Sequence, residues 1–166
     1  MSGQVKANQR GSNDRPCRRD LRFDLYGDDC AIQNLMNDTH EPHALDALLR
    51  PRSVAVIGAS RRRGTVGGEA FYNLLTTGFS GTVYPVNPTS AVVQSVRAYP
   101  TILDIPDEVD LAFIVVPAMH TIKALEDCAK KGVKAAVIVT AGFKEVGDEG
   151  AAREARLVEI GRAHEI

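Results

Sequence analysis

The sequence predicts an α/β fold in which a parallel sheet carries helices on both of its faces. Short apolar runs recur along the chain at residues 53–57, 111–116 and 134–139. Continuous runs of this length, rich in β-branched residues, are typical of strands that are buried on both faces of a parallel sheet. A helical pattern follows each run, and this alternation favours a doubly wound sheet of about five strands.

The first strand runs into a glycine-rich segment and then into a helix. Gly58, Gly64 and Gly67 punctuate the segment, and Arg61, Arg62 and Arg63 lie between them. Four apolar side chains are expected on the inner face of the helix: Ala70, Phe71, Leu74 and Leu75. Strand, glycine-rich turn and helix form the opening unit of a nucleotide-binding Rossmann-like domain, because the helix N-terminus attracts phosphate. The alternative is a tight turn with solvated arginines.

The loop departs from the two best-known phosphate motifs. G-x-G-x-x-G requires glycine where this chain has Ser60, and the Walker A pattern requires a lysine that the Gly64-Thr65 pair lacks. An NAD-binding domain also needs an acidic residue near the end of the second strand, where this chain has Asn87. These differences favour a ligand richer in phosphate charge than NAD.

The remaining elements follow in order. A short helix at residues 43–49, ended by Pro51, precedes the first strand. Residues 82–88 are predicted as the second strand, and a brief strand is expected near residues 97–99. The helix after Pro117 should bury Ile122, Leu125 and Ala129 and end at Gly132. The last helix is expected to begin with Asp148 as its N-cap and to bury four positions: Ala152, Ala155, Ile160 and Ala163.

Composition limits the classes of function. The 166 residues are 44% hydrophobic, and the net charge is −1 with no Trp. This suits one domain with a real core and argues against nucleic-acid binding. No apolar run reaches the roughly 20 residues of a membrane span, and no signal peptide is recognised, so a cytoplasmic protein is expected. Residues 1–44 are predicted to be a largely disordered extension with a short helix near residues 32–36.

Few residues suggest chemistry. Cys17, Cys30 and Cys128 match no zinc pattern. The acidic Asp107, Glu108 and Asp110 precede a strand, so they are interpreted as a solvated turn at the amino edge of the sheet. His120 is interpreted as a helix-start residue because nothing supplies it with an acid partner or a nucleophile. No catalytic residue and no metal ligand are therefore predicted.

Several ordered motifs together resemble one known domain. They are Arg50-Pro51-x-Ser53-Val54-Ala55-Val56-Ile57-Gly58-Ala59-Ser60, Tyr84-Pro85-Val86-Asn87-Pro88, Ala98-Tyr99-Pro100, Asp110-Leu111-Ala112 with Val115-Val116-Pro117-Ala118, and Ala141-Gly142-Phe143-Lys144-Glu145. Residues 45–166 resemble the N-terminal CoA-binding domain of the ADP-forming (NDP-forming) acyl-CoA synthetases, which is related to the succinyl-CoA synthetase alpha subunit. The resemblance leaves residues 1–44 as a separate extension.

The resemblance implies that coenzyme A lies along the carboxyl edge of the sheet. The positions that it assigns to the ligand are Gly58, Ser60, Arg61, Arg62, Arg63 and Gly64 for the phosphates, Asn87 and Pro88 at the second strand, Val116, Pro117 and Ala118 beside the adenine or pantetheine arm, and Thr140, Ala141, Gly142 and Phe143 near the thiol. Two positions depart from the family: Thr89 replaces a common lysine, and a glycine is usual near Ser95.

The resemblance also implies that this chain lacks parts of the full enzymes. Family members continue into another strand, a phosphohistidine domain and an ATP-grasp module, and His164 does not stand in a phosphohistidine context. The chain is therefore expected to bind CoA without catalysis of its own and to work with the remaining ligase domains or a subunit. An uncovered edge at residues 134–139 should promote homo-oligomerisation. The alternatives are a CoA-sensing domain of a protein lysine acetyltransferase and an NAD(P)-binding oxidoreductase.

Overall fold

A four-stranded parallel sheet organises the part of the chain that the structure, a computed structural model, describes, which is residues 45–166. The strands in chain order are β1 (Ser53–Ile57), β2 (Thr82–Val86), β3 (Val92–Val93), β4 (Val96–Arg97), β5 (Leu111–Ile114) and β6 (Ala135–Ile138). The sheet has the order β2-β1-β5-β6, and every neighbouring pair in it is parallel. The strand order reverses beside β1, and in such sheets ligands bind at this point, beyond the carboxyl ends of the strands.

Helices connect the strands. They are α1 (Asp46–Leu49), α2 (Val66–Thr76), α3 (Ala118–Lys131) and α4 (Asp148–His164), with short 3-10 turns at Ile102–Asp104 and Lys144–Val146. The predicted helix ends are confirmed at two glycines, because Gly78 and Gly132 both take a positive φ just past α2 and α3. Phe71 is the fully buried apolar side chain of α2, whereas Leu75 is 42% exposed, so its predicted place on the inner face is wrong.

The core lies on both faces of the sheet. Along β1 the side chains of Ala55 and Ile57 pack with α3 and α4, and those of Val54 and Val56 pack with Phe71 of α2 on the opposite face. This alternation follows from the two-residue period of a strand. The doubly wound, Rossmann-like fold class is thus confirmed.

The brief strand expected near residues 97–99 forms no fifth full strand of the sheet. Instead β3 and β4 form an antiparallel hairpin whose turn residues, Gln94 and Ser95, have φ of +48° and +69°. Tyr99 then makes a single parallel bridge to Val86 at the edge of β2. The hairpin packs through Val93 against the α2 face of the core.

For α4 the predicted N-cap is wrong, and of the four positions predicted to be buried only Ile160 is confirmed. Gly147, with φ of +101°, occupies the N-cap position, and Asp148 is the first helical residue, so it cannot cap the helix from outside. The buried residues of α4 are Gly150, Leu157 and Ile160, while Ala152, Ala155 and Ala163 are exposed. The buried face of α4 is the one that carries Leu157 and Ile160, and these two side chains pack into the same core cluster as Leu125 and Cys128 of α3.

The interpretation of Asp110 as part of a solvated turn is also wrong. Asp110 lies at the amino edge of the sheet as expected, but its side chain is only 6% exposed. Arg52 and Lys134 both pair with its carboxylate, at 3.1 Å and 2.7 Å. Arg52 directly precedes β1, Lys134 directly precedes β6, and Asp110 directly precedes β5, which lies between those two strands. The two cations therefore lie on either side of the Asp110 carboxylate and cover it.

β6 forms one edge of the sheet, and no strand within residues 45–166 pairs with its outer side. No helix in the same residues is long and apolar enough to cross a membrane. The predictions for residues 1–44, including the short helix near residues 32–36 and the two cysteines Cys17 and Cys30, lie outside the described residues. The division of the chain at residue 44 stays a prediction.

Candidate functional site

The glycine loop leaves β1 through a backbone contact that only glycine fits. Gly58 has a φ of +93°, and a Cβ on it would lie 2.1 Å from the carbonyl oxygen of Val115. A Cβ on Gly67 would lie 2.1 Å from the carbonyl oxygen of Gly58. The N-terminus of α2 therefore rests directly on the backbone at the end of β1, in the place where nucleotide phosphates bind in such folds.

The first turn of α2 is capped from within the loop. Thr65 Oγ1 accepts a hydrogen bond from the Gly68 amide at 3.2 Å and donates one to the carbonyl of Arg62 at 2.9 Å. The hydroxyl of Ser60 accepts one from the Arg62 amide at 3.1 Å. These bonds fix the loop between Ser60 and α2 into one compact shape.

The three arginines of the loop differ in their surroundings. Arg63 makes a two-point ion pair with Glu69 and lies over the ring of Tyr72. The hydrogen bond from Arg63 and that from the Gly64 amide hold the pKa of Glu69 below its usual range. Arg61 and Arg62 are exposed, and their side chains pair with no other residue among those described. The loop thus presents two unneutralised guanidinium groups to solvent.

Asn87 joins the end of β2 to this loop. Its Nδ2 donates to the carbonyl of Ala59 at 2.8 Å. Its Oδ1 accepts from the amides of Thr89 and Ser90 at 2.8 and 2.9 Å, which shapes the turn after the strand. The side chain of Asn87 therefore ties the backbone of the loop after β1 to the backbone of the turn after β2. The acidic residue that an NAD-binding domain has at this position is replaced by this amide.

The ends of β5 and β6 are joined in a similar way. Thr140 Oγ1 donates to the carbonyl of Val116 at 2.8 Å. A Cβ on Gly142, whose φ is +112°, would lie 2.9 Å from the Cβ of Ala118. Glu145 accepts from the amides of Gly142 and Phe143, at 2.5 and 3.0 Å, and these bonds hold the pKa of Glu145 below its usual range.

A cavity of about 390 Å³ opens between the carboxyl ends of the strands and α3. Four of the predicted site residues line it: Gly58, Pro88, Val116 and Pro117. The other predicted residues do not line it. Ala118 is the first residue of α3, and the rest lie in the loops around the cavity: Ser60, Arg61, Arg62, Arg63, Gly64, Asn87, Thr140, Ala141, Gly142 and Phe143. The cavity floor is apolar, since Ile57, Val86 and Ile102 complete it.

Sequence reasoning missed one wall of the cavity. His120, Lys123, Ala124 and Asp127 of α3 face it, and Lys123 forms an ion pair with Asp127. Their spacing of i, i+3, i+4 and i+7 marks one face of a helix, so the signal was present in the sequence. His120 lies in the first turn of α3, at the start of the helix as predicted, and also lines the cavity.

The arrangement suits binding better than chemistry. Within residues 45–166 no group of three or more His, Cys, Asp or Glu side chains could hold a metal ion. The charged loop and the apolar cavity lie next to each other, because Gly58 contributes to both. A ligand that is anionic at one end and largely neutral along its length matches this pair of features.

Comparison with known families identifies the domain. A sequence model described as a CoA binding domain matches residues 52–166. The chain belongs to this family of CoA binding domains. The resemblance stated from the motifs is thereby confirmed.

The most similar proteins include archaeal acyl-CoA ligases. An ADP-forming acetate–CoA ligase II of Archaeoglobus fulgidus is 50% identical over 119 residues, which cover 72% of this chain and 18% of that protein. The alpha subunit of ADP-forming acetate–CoA ligase I from Pyrococcus furiosus is 44% identical over 125 residues, covering 73% of this chain and 27% of the subunit.

A solved structure supports the same relationship. The dinucleotide forming acetyl-coenzyme A synthetase 1 of Ca. Korarchaeum cryptofilum, in complex with phosphate and ADP, superposes with a TM-score of 0.69 at 42% identity. The superposition covers 74% of this chain and 26% of that one. The chain thus spans between 18% and 27% of the length of these three proteins.

Proposed function

We propose that residues 45–166 form the CoA-binding domain of an ADP-forming acyl-CoA synthetase. The single observation that carries the proposal is the charged glycine loop beside the apolar cavity at the carboxyl edge of the sheet. The family membership and the names of the relatives support it. CoA has a highly charged nucleotide end and a long neutral arm, so both halves of the site have a matching part of the ligand.

In this proposal the nucleotide phosphates lie against the loop from Gly58 to Gly64. Arginine suits this role because its planar fork matches the geometry of phosphate oxygens. The apolar cavity then takes a neutral portion of CoA between Pro88 and Val116. Thr140–Phe143 would lie towards the thiol, and the small residues Ala141 and Gly142 would let the arm approach the backbone.

The domain is proposed to bind CoA for chemistry that takes place elsewhere. The described residues present no nucleophile paired with a base in the cavity, where His120 is the only imidazole. Acyl transfer to the thiol would then require further ligase domains or a partner subunit, as the name of the Pyrococcus furiosus alpha subunit suggests for that enzyme. The acyl substrate would be chosen by those parts.

Isothermal titration calorimetry tests this proposal. CoA, dephospho-CoA and NAD are titrated into the wild type and into a variant in which Arg61, Arg62 and Arg63 are alanine. We expect CoA to bind and NAD to bind far more weakly, and we expect the variant to lose about tenfold or more in affinity for CoA, because charged hydrogen bonds are lost.

The matched control removes three cations elsewhere. Arg50, Arg156 and Arg162 are exposed and do not line the cavity, so alanine at these positions should leave CoA affinity unchanged. Preferential binding of NAD would instead favour the oxidoreductase alternative. An equal affinity of the wild type and the loop variant for CoA would contradict the assignment of the phosphates to this loop.

A further inference from the structure

The guanidinium of Arg63 already has two partners, Glu69 and Tyr72. Its Nε and Nη2 donate to the two carboxylate oxygens of Glu69 at 2.9 and 2.8 Å. Its Cζ lies 3.3 Å from the centroid of the Tyr72 ring. This combination of a two-point ion pair and a stacked aromatic ring fixes the plane of the guanidinium as well as its position.

Glu69 links this pair to the backbone of the loop. The Oε1 that accepts from Arg63 also accepts from the Gly64 amide at 2.6 Å. Gly64 lies at the tip of the loop with a φ of +81°. Glu69 follows Thr65, the N-cap of α2, by four residues, so the helix itself delivers the carboxylate to the tip of the loop.

Arg61 and Arg62 are placed differently. Both are exposed, and neither side chain has an ion-pair partner among residues 45–166. Their positions follow Ser60 directly, whereas the Arg63 side chain is turned towards the outer surface of α2, where Tyr72 lies. The loop therefore contains two kinds of arginine.

We propose that Arg63, Glu69 and Tyr72 form a clamp that sets the shape of the phosphate-binding loop, and that, of the three loop arginines, only Arg61 and Arg62 contact the phosphates. Arg63 is then a positioning residue and not a ligand, which narrows the assignment made from the sequence. The inference rests on the proposed function, because it concerns how the same loop binds the phosphates of CoA.

Charge gives a reason for Arg63 to remain in the clamp when a ligand is bound. If Arg63 moved to a phosphate, the carboxylate of Glu69 would lose its partner beside an anionic ligand. Two unneutralised anions at short range repel each other, and this cost opposes the exchange of partners. The low pKa of Glu69 agrees with a carboxylate that stays ionised in the clamp.

The competing possibility is that, without ligand, the Glu69 carboxylate occupies the position on Arg63 that a phosphate of CoA takes when it binds. In that case Arg63 leaves Glu69 when CoA binds and pairs with a phosphate. The two possibilities differ in the behaviour of one nitrogen, Arg63 Nε, and this makes them experimentally separable.

The test follows the arginine Nε–H resonances of the ¹⁵N-labelled full chain during a titration with CoA. Single Arg61→Lys, Arg62→Lys and Arg63→Lys variants assign the signals. We expect the Arg63 signal to be visible without ligand and to stay in place at saturation, while the Arg61 and Arg62 signals shift. Movement of the Arg63 signal in step with saturation overturns the clamp.

Calorimetry at several salt concentrations gives a second readout. Loss of an arginine that contacts phosphate reduces the dependence of affinity on salt, because fewer ion contacts form. Arg61→Ala and Arg62→Ala should each show this reduction and weaken binding by about tenfold. Arg63→Ala should weaken binding but keep the salt dependence of the wild type. A reduction in salt dependence as large as that of Arg61→Ala or Arg62→Ala would overturn the proposal.

A measurement without ligand separates the clamp from the proposed function. Glu69→Ala removes the carboxylate that accepts from both Arg63 and the Gly64 amide, so exchange of the Gly64 amide with solvent should become faster at an unchanged melting temperature. Unchanged exchange at Gly64 overturns the clamp whether or not CoA binds. Absence of any CoA binding by the wild type contradicts the proposed function alone, and the exchange result then decides the clamp.

Discussion

At the scale of single residues, the loops at the carboxyl edge are held by side chains that accept hydrogen bonds from backbone amides. Asn87 does this after β2, Glu145 after β6, and Thr65 and Glu69 around the start of α2. Each acceptor lies within five residues of its donor, so the bonds form locally. Loops that are already in shape lose little entropy when a ligand binds.

Gly58→Ala should strongly destabilise the protein. The added Cβ would meet the Val115 carbonyl at 2.1 Å, and φ is +93°, so we expect a loss of about 3 kcal/mol or more in the free energy of unfolding. Gly132→Ala is the control, because it has a φ of +78° but open space around the Cβ. It should cost only the left-handed penalty of about 1–2 kcal/mol. Equal losses in urea unfolding would show that the close contact with Val115 has no effect.

Ser95→Gly should stabilise the protein. Ser95 holds a φ of +69° in the turn between β3 and β4, a conformation that glycine adopts without steric cost. We expect a gain of about 0.5–1 kcal/mol in the free energy of unfolding, measured by urea titration. The same change at exposed Ser80, which is not among the residues with positive φ, should give no gain. A loss of stability in Ser95→Gly would contradict the strain assigned to the turn.

At the scale of elements, one carboxylate ties three strands together at the amino edge. Asp110 immediately precedes β5, Arg52 precedes β1 and Lys134 precedes β6. The hydrogen bonds from Arg52 to Asp110 hold the pKa of Asp110 well below its usual range despite burial, which acts in the opposite direction. The network lies at the opposite end of the strands from the candidate site.

Asp110→Asn should lower stability in a pH-dependent way. A carboxyl with a depressed pKa in the folded state stabilises the fold above its unfolded pKa of about 3.9, and the contribution is lost as the pH falls towards the folded pKa. We expect a loss of about 1–2 kcal/mol near pH 7, because Arg52 and Lys134 are largely solvated. Urea unfolding from pH 7 to pH 3 should show the difference from the wild type narrowing below about pH 4. Asp148→Asn, at an exposed residue, is the control, and a constant difference for Asp110→Asn would contradict the ionic origin.

Elements with a strong local signal could be predicted from the sequence, and elements that depend on distant partners could not. β1 and β5 are unbroken apolar runs, and Gly132 marks the end of α3. The hairpin was missed because its strands have two residues each and its turn, Gln94-Ser95, lacks the usual glycine or asparagine. The burial of Asp110 was missed because its partner Arg52 is 58 residues away in sequence.

At the scale of the whole domain, the candidate binding site and the main buried ion pairs lie at opposite edges of the sheet. Its carboxyl edge carries the glycine loop and the cavity, and its amino edge carries the ion pairs of Asp110. We therefore expect substitutions of ligand-contacting side chains at the carboxyl edge to leave the ion pairs at the amino edge in place. This separation suits a fold in which loops change while the sheet stays constant.

The outer edge of β6 should promote self-association, because its backbone groups have no strand partner within residues 45–166. We expect light scattering to show an average mass that rises with protein concentration. Val139→Lys places a charge at a 40% exposed position directly after this strand and should shift the protein towards monomer. Val146→Lys, at a 63% exposed position away from β6, is the control and should have no effect. A monomer at all concentrations would contradict this prediction.

The location of the candidate site could be predicted more fully than its details. The convergence of the strand ends follows from parallel topology, so the loop after β1 and the segment Val116–Pro117 were found together. The different environment of Arg63 could not be predicted, since it depends on the ring of Tyr72, which lies within α2, nine residues further along the chain. Gln94, which donates to the carbonyl of Gly68 at 2.9 Å, was missed along with its hairpin.

The reactivity of Cys128 can serve as a probe of unfolding. It is fully buried on α3, and burial raises the pKa of its thiol to about 12, so the native protein holds it protonated and out of reach of alkylating reagents. With Cys17 and Cys30 replaced by serine, the alkylation rate would report how often the domain opens. Any small molecule that binds the closed form would slow this reaction in proportion to its occupancy, so affinity could be read from a single sulfur atom in a protein without tryptophan.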